Sequence, residues 1–198
     1  MSLCKRVIAR IDVKGTKLIK GIQFEGLRVI GDAWETSQKY SSLGIDEIFY
    51  SDAVASLYER NSLTDILKKT SRASFIPITA GGGIRTVEDG FKLLANGADK
   101  LAINTHAVKN PSLINKLAET FGKQCVVSSI QARKSPDKNG WSVMIESGRE
   151  RSNKNLFEWI LEVQERGAGE IFLTSVDQDG TGKGPDLELI NEVNSIIS

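Results

Sequence analysis

The stretches GIDEIFYSD (residues 44–52), GADKLAINT (97–105) and GAGEIFLTS (167–175) spell nearly the same thing. In each, a glycine suited to ending a helix is followed by a charged residue, a short apolar run and a polar tip. A helix-to-strand joint that recurs in this form predicts parallel strands linked by crossover helices. Working outward, apolar runs rich in Val, Ile and Phe read as strands near 5–12, 46–52, 75–80, 98–104, 124–131 and 170–175. Amphipathic segments near 32–43, 60–72, 86–96, 111–121, 153–166 and 185–197 read as helices. Thr86 ahead of Glu88 and Asp89, Pro111 after Asn110, and Pro185 supply helix-start signals. WSVMIESG (141–148) reads as a small excursion or hairpin after the fifth strand. The strands are nearly wholly apolar, as expected of a sheet covered by helices.

An open doubly wound sheet and a (β/α)8 (TIM) barrel both follow from such alternation. Polar residues tip almost every strand: Asp12, Asp52, Gly81–Gly83, Asn104, Gln131 and Thr174. A barrel mouth shared by all strands explains that spread, whereas a doubly wound sheet gathers its site at one switch point. RIDVK (10–14) also recurs as SIQARK (129–134), as in a duplicated half-barrel. The expectation is an α/β chain of the (β/α)8-barrel class with about six βα units. Residues 1–198 would form a single partial barrel domain with strands seven and eight absent, because the sequence stops at Ile196-Ile197-Ser198, where a seventh strand would begin. Open edges at strands one and six would then favour self-association.

Bulk properties narrow the function. Lys and Arg total 26 against 25 Asp and Glu, which argues against general nucleic-acid binding or attraction to an anionic membrane. No apolar run approaches a membrane span, and Lys5 and Arg6 arrive before any signal-like segment. Cys4 and Cys125 lack metal-ligand spacing, and both are expected to be reduced thiols in a cytoplasmic protein. With His106 the only histidine, neither a zinc site nor a Ser-His-Asp triad has support, and no metal or organic cofactor is expected.

TAGGGIRTVEDG (79–90) puts three glycines between a strand and a helix. Such a turn either binds phosphate through its backbone N–H groups and the helix dipole, or is simply tight. Asn104 and Thr105 at the next strand end can add an amide and a hydroxyl. Asp12 and Asp52 are either general acid/base carboxylates or loop caps. Lys20, in the glycine-bearing loop 14–32, either holds phosphate as that loop closes or is solvated. Asp177 and Asp179 lie in TSVDQDGTGKG (174–184), where turn formation competes with a site role. At the opposite ends of the strands, Arg6, Glu47, Lys100 and Glu170 form a charge-balanced set that reads, by itself, as an ion-pair ring.

Together IDVKG, KGIQFEGLR, GDAWE, TAGGGIRTVEDG, GADKLAINT, VKNPSLI, GAGEIFLTSVDQDGTGKG and DLELI resemble the cyclase-subunit family of imidazole glycerol phosphate synthase, from Lys5 to about Ile197. The resemblance implies a histidine-pathway barrel that receives ammonia from a glutaminase subunit docked at its bottom and uses it in ring closure and C–N lyase chemistry. It implies that Arg6, Glu47, Lys100 and Glu170 gate the ammonia and that Asp12 is one catalytic aspartate. Gly82, Gly83, Asn104 and Thr105 would form one substrate phosphate site, and Lys20, Asp52, Thr174 and Asp179 would be active-site positions. One departure stands out, since Gln131 occupies the place of the second catalytic aspartate. An amide cannot exchange a proton near neutral pH. That change is similar to the family's paralogues that serve amidation of bacterial surface sugars. A non-catalytic scaffold that only channels ammonia is the remaining alternative.

Overall fold

The computed structural model describes residues 5–55, 63–135 and 140–197. They fall into two compact units. The first takes the chain through Ile19 and from Val29 to Ala102; the second takes Lys20–Arg28 and the chain from Ile103 onward.

In the first unit the central strand β1 (Ile8–Lys14) pairs in parallel with β4 (Glu47–Asp52). Strand β4 pairs with β5 (Ile78–Gly81), and β5 with β6 (Lys100–Ile103), again in parallel. On its other side β1 pairs antiparallel with β2 (Lys17–Ile22), which neighbours β3 (Glu25–Asp32). Helices α1 (Ala33–Ser42), α2 (Thr64–Ala73) and α3 (Val87–Ala95) connect the parallel strands. Ile11, Ile48, Tyr50, Leu67, Ile78, Leu93 and Leu101 are fully or almost fully buried between strands and helices. The α3 start is locked by a capping box in which Thr86 and Asp89 each accept the other's backbone N–H.

The second unit contains α4 (Thr105–Lys109), α5 (Ser112–Phe121), β7 (Val126–Lys134), β8 (Trp141–Ile145), β9 (Glu150–Asn155), α6 (Leu156–Glu165), β10 (Glu170–Ser175) and α7 (Leu187–Asn194). Strand β7 pairs in parallel with β10 and antiparallel with β8, and β8 pairs antiparallel with β9. Ile114, Leu117, Ile130, Val143, Trp159 and Ile160 fill its core. Burying a tryptophan such as Trp159 removes some 150–250 Å² from water, roughly 4–6 kcal/mol at ~25 cal/mol per Å².

The βα alternation follows the sequence closely, with instructive differences. The segment 14–32, expected to be a loop, is largely the β2–β3 hairpin. Its turn residues Gln23 and Phe24 have φ of 51° and 63°, the left-handed pair of a type I′ turn usually signalled by Asn-Gly. Phe24 offsets that strain by burying its ring with Met144 and Val176. Strand β1 begins at Ile8, and both β1 and β7 run two or three residues past Asp12 and Gln131, because a hairpin strand pairs with each extension. The excursion after β7 is a true hairpin; its second strand occupies 150–155, so the expected helix near 153–166 starts only at Leu156. The short helix α4 had no distinct sequence signal. Residues 60–62 of the expected second helix, and Cys4, lie outside the described residues.

Candidate active site

In the first unit Asp12 lies on β1 opposite Ser51 of β4, 7% exposed. Its Oδ1 accepts a hydrogen bond from Arg10 Nε at 2.8 Å. Residues two apart on a strand share a face, so the guanidinium two positions back reaches the carboxylate directly. Sequence reasoning passed over Arg10 as a partner of Asp12, although this spacing is readable in RID. Asp52 closes β4; its carboxylate caps the turn by accepting from Val54 N at 3.0 Å. Gly82 packs against it: a Cβ there would come within 2.6 Å of the Asp52 carbonyl oxygen, and φ is +109°. Gly83 also has positive φ, so the GGG turn needs its glycines for conformation and for closeness to Asp52.

At the opposite strand ends of this unit Glu47 is 2% exposed. Its Oε2 accepts from Arg6 Nη1 and Lys100 Nζ, both at 2.9 Å. Thr79 donates its hydroxyl to Oε1. Three of the four expected ring members are therefore accounted for here, with Thr79 as an unforeseen partner. A buried carboxylate with two cations and a hydroxyl is well compensated.

The second unit holds the remaining candidate residues. Gln131 and Thr174 are direct partners across β7 and β10, 7% and 9% exposed. Glu170, the first residue of β10, is half-buried. Asn104 precedes α4 and donates from Nδ2 to the Met144 carbonyl at 3.2 Å. Thr105 Oγ1 accepts from Glu146 N at 3.0 Å.

Lys20 lies on β2, three residues before the turn of the β2–β3 hairpin. Its ammonium group contacts both oxygens of Asp179, at 2.8 and 3.1 Å. The hairpin tip is tied down by Gln23 N to the Asp179 carbonyl at 2.8 Å and by Gln23 Nε2 to the Asp177 carbonyl at 3.0 Å. Gly180 is required, since a Cβ there would collide with the Gly21 carbonyl oxygen. The Asp177 carboxylate turns inward to Lys134 N at 2.9 Å and lies 3.7 Å from Arg133 Nε, a loop-holding role.

Among the described residues no helix is long and apolar enough to cross a membrane. The family model for histidine biosynthesis proteins matches residues 6–198. The chain is 53% identical over 194 residues to an imidazole glycerol phosphate synthase subunit HisF of Legionella pneumophila, covering 98% of this chain and 91% of that protein. A subunit of the same name from Wolinella succinogenes is 45% identical over 195 residues, covering 98% and 77% of the two chains. One from Natranaerobius thermophilus is 44% identical over 191 residues, covering 96% and 75%. With carboxylates, amides and glycines at the C-terminal ends of its parallel strands, and the family model spanning nearly its whole length, the chain belongs to the histidine biosynthesis protein family, whose fold is the (β/α)8 barrel.

Proposed function

We propose that the chain is the cyclase subunit of an imidazole glycerol phosphate synthase. It uses ammonia from a glutaminase partner on a phosphorylated nucleotide, closing an imidazole ring and cleaving a C–N bond. The observation that carries this is 53% identity, over 98% of the chain, to a protein of that name. The same name, a synthase subunit, supports a partner protein, and a biosynthetic reaction of this kind belongs in the cytoplasm.

Within this reading Asp12 is the general acid and base, with Arg10 orienting its carboxylate. Gln131 offers hydrogen bonds but no exchangeable proton, so proton transfer falls to Asp12. The backbone N–H groups of Gly82 and Gly83 serve one phosphate, as do Asn104 and Thr105. Lys20, Asp52, Thr174 and Asp179 contact substrate. Lys20 leaves Asp179 when an anion competes for its ammonium group. The Glu47 cluster with Arg6 and Lys100 forms the ammonia gate, Glu170 holding the matching place at the start of β10, and the glutaminase docks at that end of the strands.

The test follows loss of the ribulosyl-formimino carboxamide nucleotide of the histidine pathway with an ammonium salt as nitrogen source. The parent protein should consume it, and Asp12→Asn should be slower by about 10²–10⁴-fold. Equal rates would remove Asp12 from proton transfer. No consumption by the parent would overturn the cyclase reading in favour of amidation of a surface sugar.

A further inference from the structure

Two buried amide oxygens in the second unit, Asn104 Oδ1 and Gln131 Oε1, have no hydrogen-bond partner. Among the described residues the other buried side-chain polar atoms in that condition are Gln38 Nε2 and Arg133 Nε, both nitrogens. Both residues adjoin Met144, Asn104 through its side chain and Gln131 through the strand ladder. Asn104 Nδ2 donates to the Met144 carbonyl. Gln131 is the cross-strand partner of Met144 in the β7–β8 pair, so their side chains share a face.

The Asn104 bond also settles which way its amide lies. A carbonyl only accepts, so the edge turned to Met144 is the NH₂ group and the free edge is the oxygen. Asn104 makes no side-chain cap on α4, so no local backbone N–H uses that oxygen. A buried acceptor left without a donor is costly, and such an atom in a native structure marks a place where an ordered water, an ion or a ligand supplies the missing group. Two neutral acceptors suit an N–H donor and do not suit an anion, which itself only accepts.

We propose that Asn104 and Gln131 form an acceptor site for an N–H donor, either ammonia or the carboxamide NH₂ of the substrate. This rests on the ammonia-using reading above and assigns Gln131 a binding role in place of the family's carboxylate chemistry. It concerns the side-chain oxygen of Asn104 alone, an atom that cannot bond an anion, and leaves the phosphate contacts of the proposed function to N–H and hydroxyl donors.

The experiment needs no turnover, so it stands apart from the test of the cyclase reading. The side-chain amide signals of Asn104 and Gln131 in the ¹⁵N-labelled full chain are followed by NMR during titration with ammonium chloride, potassium chloride or acetamide. Saturable shifts of both signals with ammonium but not potassium assign the site to ammonia. Shifts with acetamide alone assign it to a carboxamide. Equal response to potassium and ammonium, or no saturable response to any probe, overturns the proposal. Gln131→Met keeps the length of the side chain without the amide acceptor and should weaken the Asn104 response about five-fold. Gln131→Glu, which keeps an acceptor, should preserve it. An Asn104 response undiminished in Gln131→Met, with the unfolding temperature unchanged, would show that Gln131 is not a ligand.

Discussion

Gln131 stands beside Thr174 across β7 and β10 in the register that sets Asp12 beside Ser51 across β1 and β4. The match extends along both pairs, from Ile8 with Glu47 to Val13 with Asp52, and from Val127 with Glu170 to Ala132 with Ser175. Each first strand then continues into an antiparallel hairpin, and each hairpin ends in a helix capped by a side-chain oxygen. Asp32 accepts from Trp34 N and Glu35 N; Asn155 accepts from Phe157 N and Glu158 N. Strand, hairpin, cap, helix and strand thus repeat as one block. Within it the carboxylate of Asp12 has become the amide of Gln131, while its strand neighbour stays a hydroxyl residue.

The duplicated caps give a direct comparison. Asp32 carries a charge at a helix N-terminus and its pKa is lowered, chiefly by the hydrogen bond from Glu35 N. Asn155 supplies the same geometry without charge. Asn155→Asp should therefore stabilise the protein by about 0.5 kcal/mol near neutral pH through the helix dipole. The gain should fall away as pH drops through the carboxylate range, and paired urea unfolding curves at neutral and acid pH check both parts.

Glu47 should be the costliest single charge to orphan or delete. Lys100→Met removes one of its two cationic partners from a buried carboxylate, and a loss of roughly 3 kcal/mol is expected. The double variant Lys100→Met with Glu47→Gln should recover part of that loss, since the uncompensated charge goes with it. Chemical denaturation of the four proteins in the cycle decides it. A double variant less stable than Lys100→Met would contradict the account.

Phe24 packs the hairpin tip into the core of the second unit, to which the tip itself belongs. Phe24→Ala removes a ring packed with Met144 and Val176 and leaves the left-handed turn without its offset. A loss of about 3 kcal/mol follows if the tip is part of the cooperative fold. If the tip detaches by itself, global stability stays nearly unchanged and proteolysis at Gln23–Leu27 speeds up instead. Measuring both separates a fixed strap from an independently opening one.

The parallel core was legible because its signal is local: glycine, charge, apolar run and polar tip recur at three joints. The first hairpin was not, because strand pairing is a tertiary choice, whereas the second showed as an excursion in WSVMIESG. KLIKGI and EGLRVIGD have little buried surface of their own, and the turn between them lacks the usual glycine. Strand-end residues such as Asp12, Gln131 and Thr174 were found by position. Arg10 and Thr79 were not, since their roles depend on the face each shares with its partner. The orphaned oxygen of Asn104 depends on Met144, which is far from it in the chain.

Lys109 and Glu146 carry the pH prediction. The Lys109 pKa is raised, first by its hydrogen bond to Glu146 at 2.8 Å and further by the charges of Glu146 and Glu150. A raised lysine pKa means the folded state holds the proton more tightly than the unfolded chain. The contribution is fully present below the unfolded value of about 10.4 and is lost as pH rises through the folded one. Glu146 and Ser147 are held at φ of 50° and 56°, and the Glu146 N–H bonds Thr105, so this ion pair helps pin a strained turn beside a site residue. Lys109→Met should accordingly lower the unfolding temperature near neutral pH and speed hydrogen exchange at the Glu146 amide. The temperature gap between parent and variant should close in strongly alkaline buffer. A gap that persists there would mean that the packing of the Lys109 stem, rather than its charge, holds the turn.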